Sequence, residues 1–227
     1  MSTAIYIIYI VAHGFIFGRA LRLRPQSHLP VWALFIIAEV GLIYDNMIIA
    51  LGRLLGAGDL LHTLNLHRFL IHAIITPTLI LVGFNLLKRS GAQWAAGRAV
   101  QTVACLITTG LMTLGLISYR ALQLEATAEF GILRYHDISG QGPPIPAIIT
   151  IVLLIIFGVM IWRNVKWPWL CLAAVAMFIS AAVPMSLVGP IVGSGGEVIL
   201  ALGILVTEAQ LQKVGSQPLT ISMEPSI

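Results

Sequence analysis

Apolar residues occur along this chain in long runs that short polar segments separate. Most runs approach the roughly 20 residues that a helix needs to cross a bilayer, so the pattern predicts seven membrane-spanning helices. Basic residues follow the first run instead of preceding it, and we therefore expect a retained span and not a cleaved signal peptide. The predicted spans are residues 4–18, 31–51, 67–87, 100–122, 146–162, 169–188 and 198–211.

The composition strengthens this interpretation. The 227 residues are 58% hydrophobic and only 10% charged, with a mean hydropathy of +0.95, which excludes a soluble globular domain. We predict an all-α, polytopic integral membrane protein in contact with membrane lipids, with a transmembrane domain over residues 1–213. The polar residues 214–227 have little to pack and are predicted to be a disordered tail.

The formal net charge of +4 does not indicate a nucleic-acid partner, because the basic residues stand at the ends of apolar runs and form no stripe. With seven spans, nine of the 13 Lys and Arg residues fall on one side of the membrane and four on the other. Because basic residues accumulate on the cytoplasmic side, we expect the N-terminus outside and the C-terminus in the cytoplasm. Which cell or organelle membrane holds the protein stays open.

Polar residues inside the second and third spans form the most informative pattern. Ionisable groups in a hydrocarbon layer are costly and indicate either function or a structural ion pair. Asn65, Arg68, His72 and Thr76 recur at steps of three and four, so they share one helix face. Asp45 and His72 lie at similar depths, roughly 9 and 8 Å below the outer ends of their spans. Neighbouring spans usually pack together, which predicts a contact between Asp45 and Arg68 or His72.

Two further acids lie in the predicted spans. Glu39 is near the membrane midplane, and we find no basic residue at its depth, so we expect it to be protonated or to face a wet cavity. Glu197 opens the seventh span and is either functional or a solvated carboxylate favoured by the helix dipole. Asp45 and Arg68 could equally be a structural ion pair, and His72 could simply bond a neighbouring helix.

These ionisable groups concentrate in the outer half of the predicted bundle, which favours a one-sided polar cavity over a continuous ion pathway. The long segment 125–145 is either a lid over that cavity or only a connection. We predict no cofactor and assign no metal ligands, because HxxxH and HExxH pairs are absent, and the sequence leaves open whether the polar cluster binds a metal. The candidate catalytic residues are Glu39, Asp45, His72 and Glu197, and the candidate substrate-binding residues are Asn46, Arg68, Thr76 and Arg120.

Glu39 in the second span and Glu197 in the seventh give an arrangement similar to that of the small seven-span terpene cyclases of the fungal meroterpenoid type. The resemblance covers the placement of the acids and no local motif. It implies a neutral carboxyl that donates a proton to an alkene or epoxide. The chain does not resemble the adiponectin-receptor type of zinc hydrolase, whose late-span histidines it lacks, or the rhodopsins, whose retinal-binding lysine it lacks.

The leading functional hypothesis is an intramembrane enzyme that applies acid-base chemistry to a hydrophobic substrate such as an isoprenoid, a pigment or a lipid, for example in a cyclisation or isomerisation. Glu39 would be the proton donor. The alternative is a non-catalytic carrier, sensor or assembly factor whose polar cluster is structural. The sequence leaves open whether the protein is an enzyme.

Overall fold

The fold was obtained as a computed structural model, which describes residues 2–23, 29–140 and 142–215. This part of the chain is predominantly helical and contains one two-stranded sheet. The elements are α1 (Ser2–Arg22), α2 (Leu29–Leu55), α3 (Asp59–Ile75), α4 (Leu79–Arg89), α5 (Arg98–Arg120), β1 (Leu124–Glu129), β2 (Ile132–Asp137), α6 (Ile145–Val165), α7 (Trp169–Ala182), α8 (Met185–Val188) and α9 (Ile191–Gly215).

Six helical segments of the described chain are long and apolar enough to cross a membrane: α1, α2, the continuous α3–α4 segment, α5, α6 and α9. Large apolar side chains are exposed on their outer surfaces, including Val11, Phe15 and Leu106, each more than 60% accessible. A folded protein with so much exposed apolar surface needs an apolar surrounding. The helical class is confirmed, and the six segments support a multi-pass membrane protein.

The predicted sixth span is interrupted. Helix α7 has 14 residues and ends at Ala182, and Val183 is extended with φ −69° and ψ 126° because Pro184 follows it. A helix of this length rises roughly 21 Å, less than the thickness of a hydrocarbon core. The short α8 continues the chain before α9 begins, so a seventh crossing stays a prediction. Of the predicted disordered tail, residues 214–215 end α9 and the remainder lies outside the described residues.

Pro77 bends the third span without ending it. A 3₁₀ turn over Thr76–Thr78 joins α3 to α4, and the combined segment runs from residue 59 to 89. Proline has no N–H to donate to the carbonyl of Ala73, one turn earlier. Gly115 of α5 packs against that oxygen so closely that an added Cβ would lie 2.9 Å from it. The glycine therefore allows α5 to cover the place where the helix ladder is broken.

The largest apolar core extends from α4, α6, α7 and α9 to buried residues of α1, α2 and α5. Leu154, Leu170 and Ile204 are fully buried there. Gly158 of α6 lets the helices approach closely, because an added Cβ would lie 2.5 Å from the backbone nitrogen of Cys171. This packing holds α9 in a fixed position beside α1, on which the candidate site depends.

Residues 124–137 form a β-hairpin and not an irregular connection. Its two-residue turn, Phe130 and Gly131, has positive φ at both positions (51° and 75°), as a type I′ turn requires. The hairpin packs directly on α2, where a Cβ added to Gly52 would lie 1.8 Å from the carbonyl oxygen of Leu133. We call the end of the bundle that carries this sheet the hairpin end, and the other the opposite end.

Candidate functional site

The predicted contact between Asp45 and the third span is confirmed, as part of a larger network. Arg68 donates from Nε to Asp45 Oδ1 at 2.8 Å, and His72 Nε2 lies 3.2 Å from the same oxygen. Arg68 also donates from Nη1 to Asn65 Oδ1 at 2.6 Å, and Thr76 Oγ1 lies 3.4 Å from His72 Nδ1. Asn65, Arg68, His72 and Thr76, which the sequence placed on one helix face, are therefore joined to Asp45 by a continuous set of polar contacts. We call these five residues the Asp45 cluster.

The hairpin closes one side of this cluster. The backbone N–H of Tyr135 in β2 donates to Asn65 Oδ1 at 3.4 Å, and its ring packs edge-on against His62 with centroids 5.0 Å apart. Asn65 in turn donates from Nδ2 to the carbonyl of Leu61 at 2.7 Å. The Asp45 cluster thus joins α2, α3 and β2 through hydrogen bonds that satisfy its buried charges.

His72 is the accessible member of the Asp45 cluster, with 36% of its side chain exposed. It borders a cleft between α2 and α3 of about 30 Å³, enough for about one water molecule. Apolar side chains such as Leu42, Ile71 and Leu79 form most of the lining, and Thr76 contributes a hydroxyl. The imidazole can therefore be approached from the apolar outer surface of the bundle.

A second polar site lies near the middle of α1 and α2. His13 Nδ1 is 2.9 Å from Glu39 Oε2, and both side chains are completely buried. The expectation that no basic residue lies at the depth of Glu39 is wrong. The two residues lie at matching distances from the facing ends of their helices, nine before Arg22 and ten after Leu29, which the shorter predicted spans 4–18 and 31–51 did not show.

The His13–Glu39 pair is only half satisfied. Among the described residues, neither His13 Nε2 nor Glu39 Oε1 has a hydrogen-bond partner. Two more buried atoms of α1 and α2 share this condition, the Tyr6 hydroxyl and Asn46 Oδ1. Ser194 lies beside the Tyr6 hydroxyl but outside hydrogen-bonding geometry. Leaving such an atom unsatisfied costs about 1–3 kcal/mol, so the α1–α2 interface favours a polar ligand or water that completes it.

Glu197 lies within electrostatic range of both polar sites. It is half-buried in α9, which packs on α1, and the charges of His72, Asp45 and His13 act on it. Within the described chain it has no ion pair shorter than 4 Å and no side-chain hydrogen bond. Its carboxylate is therefore close to both sites without belonging to either.

The two remaining predicted site residues, Asn46 and Arg120, lie in different parts of the structure. Asn46 is buried in α2, seven residues after Glu39, and donates from Nδ2 to the carbonyl of Leu42 at 2.9 Å. Arg120 lies at the exposed C-terminal end of α5, apart from both polar sites. Sequence reasoning also passed over Tyr6 and Arg134, which the fold brings to the hairpin end of the site.

The opposite end contains a separate ion pair. Arg89 at the end of α4 donates from Nη1 to Glu208 Oε2 at 2.5 Å, and Gln212 donates to Glu208 Oε1 at 2.8 Å. Glu208 is 1% exposed and satisfied on both oxygens. It therefore ties α4 to α9 and is not part of the candidate site.

In the described ranges, no group of three or more His, Cys, Asp or Glu residues is arranged to hold a metal ion. No known protein-family model matches the chain, and no curated protein matches it with significant sequence similarity. The chemistry of the site is therefore interpreted from its own residues.

Proposed function

We propose that this chain is an intramembrane enzyme that uses acid-base chemistry on a hydrophobic substrate such as an isoprenoid, a pigment or a lipid. It would cross the membrane seven times, with the hairpin end outside and the C-terminus in the cytoplasm. The uneven distribution of Lys and Arg supports this orientation.

The half-satisfied His13–Glu39 pair carries the proposal. His13 fixes one oxygen of the Glu39 carboxyl, while Oε1 is left without a partner in the described chain. A carboxyl group in such an apolar place is suited to giving a proton to an alkene or an epoxide oxygen. In an isomerisation, the resulting carbocation would lose a proton from a neighbouring carbon to a base, and we assign that role to the Glu197 carboxylate, which has no ion pair within the described chain.

The other predicted site residues would support this chemistry. His72 and Thr76 border the cleft between α2 and α3, which would have to widen to admit a lipid-soluble molecule from the bilayer because it has room for about one water molecule. Asp45 would hold Arg68 and His72 in place, and Asn46 would offer its free oxygen to the substrate.

A non-catalytic role is the second candidate, and the Asp45 cluster favours it. Its charges are satisfied internally and it connects α2, α3 and the hairpin, as a structural ion-pair network does. In that case the protein would be a carrier, a sensor or an assembly factor.

Mass spectrometry of small molecules that co-purify with the detergent-solubilised protein would separate the two. We expect a hydrophobic molecule to be retained by wild type and by Glu39→Gln, and to be chemically altered by wild type alone. Glu129→Gln, which changes an exposed acid of the hairpin, is the matched control and should behave as wild type. If no molecule is altered by wild type and Glu39→Gln only lowers stability, the enzyme proposal is wrong.

A further inference from the structure

Arg134 in β2 faces the helices. Side chains two apart in a strand share a face, and Ile132 packs against Tyr6 and Ile49 in a small buried cluster. Arg134 is half-buried on that same face, and within the described residues its side chain donates from Nη2 to the Met185 sulfur at 3.9 Å. Within the described residues no carboxylate lies within 4 Å of it. A partly buried guanidinium normally has an anionic partner, which this one lacks.

A second guanidinium lies next to the first. The Tyr135 backbone N–H and Arg68 Nη1 donate to the same Asn65 oxygen, so β2 brings Arg134 beside Arg68. Burial, followed by the charge of Arg68, lowers the pKa of Arg134 below its ordinary value. Arg68 and the His72 imidazole both contact the Asp45 carboxylate, whereas Arg134 lies beyond ion-pair distance of it. The other nearby acids, Glu129 and Glu197, act from beyond ion-pair distance.

The Tyr6 hydroxyl is an independent sign of a ligand at this place. Tyr6 is fully buried, its hydroxyl has no hydrogen-bond partner in the described chain, and Arg134, Asp45 and Arg68 are the charged groups that act on it. The Tyr6 hydroxyl lies near Ser194 without meeting it in hydrogen-bonding geometry, and within electrostatic range of both guanidinium groups, so it can donate to a further acceptor. An oxyanion is an acceptor that all three groups favour.

We propose that Arg134, Arg68 and the Tyr6 hydroxyl bind the oxyanion head group, a phosphate or carboxylate, of an amphipathic molecule. The catalytic meaning of this site rests on the proposed function. The site narrows the proposed substrate from a hydrophobic molecule to an acidic lipid. Tyr6 and His13 lie on the same buried face of α1, seven residues and roughly 10 Å apart. A head group held at Tyr6 would therefore place an apolar chain along the interface that leads to the His13–Glu39 pair.

The test is equilibrium binding to the full-length protein in a non-ionic detergent, measured by native mass spectrometry and by thermal stabilisation. The probes are dodecyl phosphate, the neutral dodecanol and inorganic phosphate. We expect dodecyl phosphate to bind most tightly, and Arg134→Gln to weaken it roughly 10- to 100-fold, as expected for the loss of a charge-assisted bidentate contact. Arg134→Lys should retain part of the affinity. Arg163→Gln removes an exposed arginine at the end of α6, outside the proposed site, and should bind as wild type.

Equal binding of dodecanol and dodecyl phosphate, or unchanged affinity in Arg134→Gln, would overturn the proposal. Inorganic phosphate that competes as well as dodecyl phosphate would overturn the amphipathic ligand in favour of a free anion. If Arg134→Gln does not fold, Tyr6→Phe replaces it, and unchanged binding there counts against the site. Glu39→Gln should bind dodecyl phosphate normally. Normal binding without any turnover by wild type would therefore reject the enzyme proposal and leave the head-group site intact.

Discussion

Two buried acids of α2, six residues and roughly 9 Å apart, occupy very different surroundings. Asp45 accepts from Arg68 and lies against His72, in a network that extends to Asn65 and the hairpin. Glu39 has His13 on one oxygen and no partner on the other within the described residues. The Asp45 cluster therefore connects α2, α3 and the hairpin through satisfied bonds, whereas the His13–Glu39 pair keeps an unfilled hydrogen-bonding position within the described residues, which is the basis of the proposed function.

The largest effect should come from breaking the Asp45 cluster. Arg68→Leu leaves the buried Asp45 carboxylate without its main partner, and we expect a loss of roughly 3–5 kcal/mol in the free energy of unfolding. Asp45→Leu should be similar, and the double variant should recover much of the loss because no charge remains uncompensated. Chemical denaturation in detergent measures all three. A double variant as unstable as the two single changes combined would contradict the structural role of this cluster.

The second-largest effect should come from weakening the contact between the hairpin and α2. A methyl group at Gly52 would collide with the Leu133 carbonyl, so Gly52→Ala should displace β2 and lower the free energy of unfolding by about 1–3 kcal/mol. Gly14→Ala is the matched control, because nothing lies within 4 Å of its added Cβ. Hydrogen exchange should show faster exchange at the Tyr135 amide in Gly52→Ala. Loss of protection around Glu39 but not at the hairpin would be inconsistent with the separation of the two sites.

Changes at the His13–Glu39 pair should have smaller effects on stability and larger ones on function. The double variant His13→Leu with Glu39→Leu removes the pair together with its unsatisfied atoms, and we expect stability within about 1 kcal/mol of wild type or above it. Turnover of the co-purifying molecule should be lost. Thermal unfolding and mass spectrometry provide the two readouts. A strongly destabilised double variant would indicate that this pair, like the Asp45 cluster, is structural.

The smallest effect concerns the base of the hairpin. Burial alone would raise the pKa of Asp137, but hydrogen bonds from Ser139 and from the Gln123 N–H outweigh it and hold the pKa below its usual value. A lowered pKa in the folded state means that this stabilisation is complete above the pKa of the unfolded chain, and is lost as pH falls through the folded value. We expect a contribution on the order of 1 kcal/mol that Asp137→Asn removes at neutral pH.

Unfolding measured from neutral to acidic pH checks this prediction. The difference in the free energy of unfolding between wild type and Asp137→Asn should shrink toward the acidic limit. The substitution itself leaves the contacts of Asp45 and Glu39 in place. A difference that grows as pH falls would show that the sign is wrong.

Much of the Asp45 cluster could be predicted from sequence because it depends on two local properties. Residues at helical spacing share a face, which grouped Arg68, His72 and Thr76. The short connection between α2 and α3 makes these helices neighbours, which brought Asp45 to the same depth. The His13–Glu39 pair was missed, although its two residues lie at matching distances from the ends of their helices. Its recognition required the full extent of α1, whose last turn lies beyond the predicted span.

The sequence by itself determined the helical class, the apolar surface and the positions of most helices, since hydropathy and periodicity act within single segments. The tertiary structure decided which buried polar atoms have hydrogen-bond partners. The rotation of α1 about its axis directs His13 at Glu39, and the type I′ hairpin brings Arg134 over the ends of the helices. These placements depend on packing between distant segments, such as the contact of Gly52 with Leu133, which no local pattern encodes.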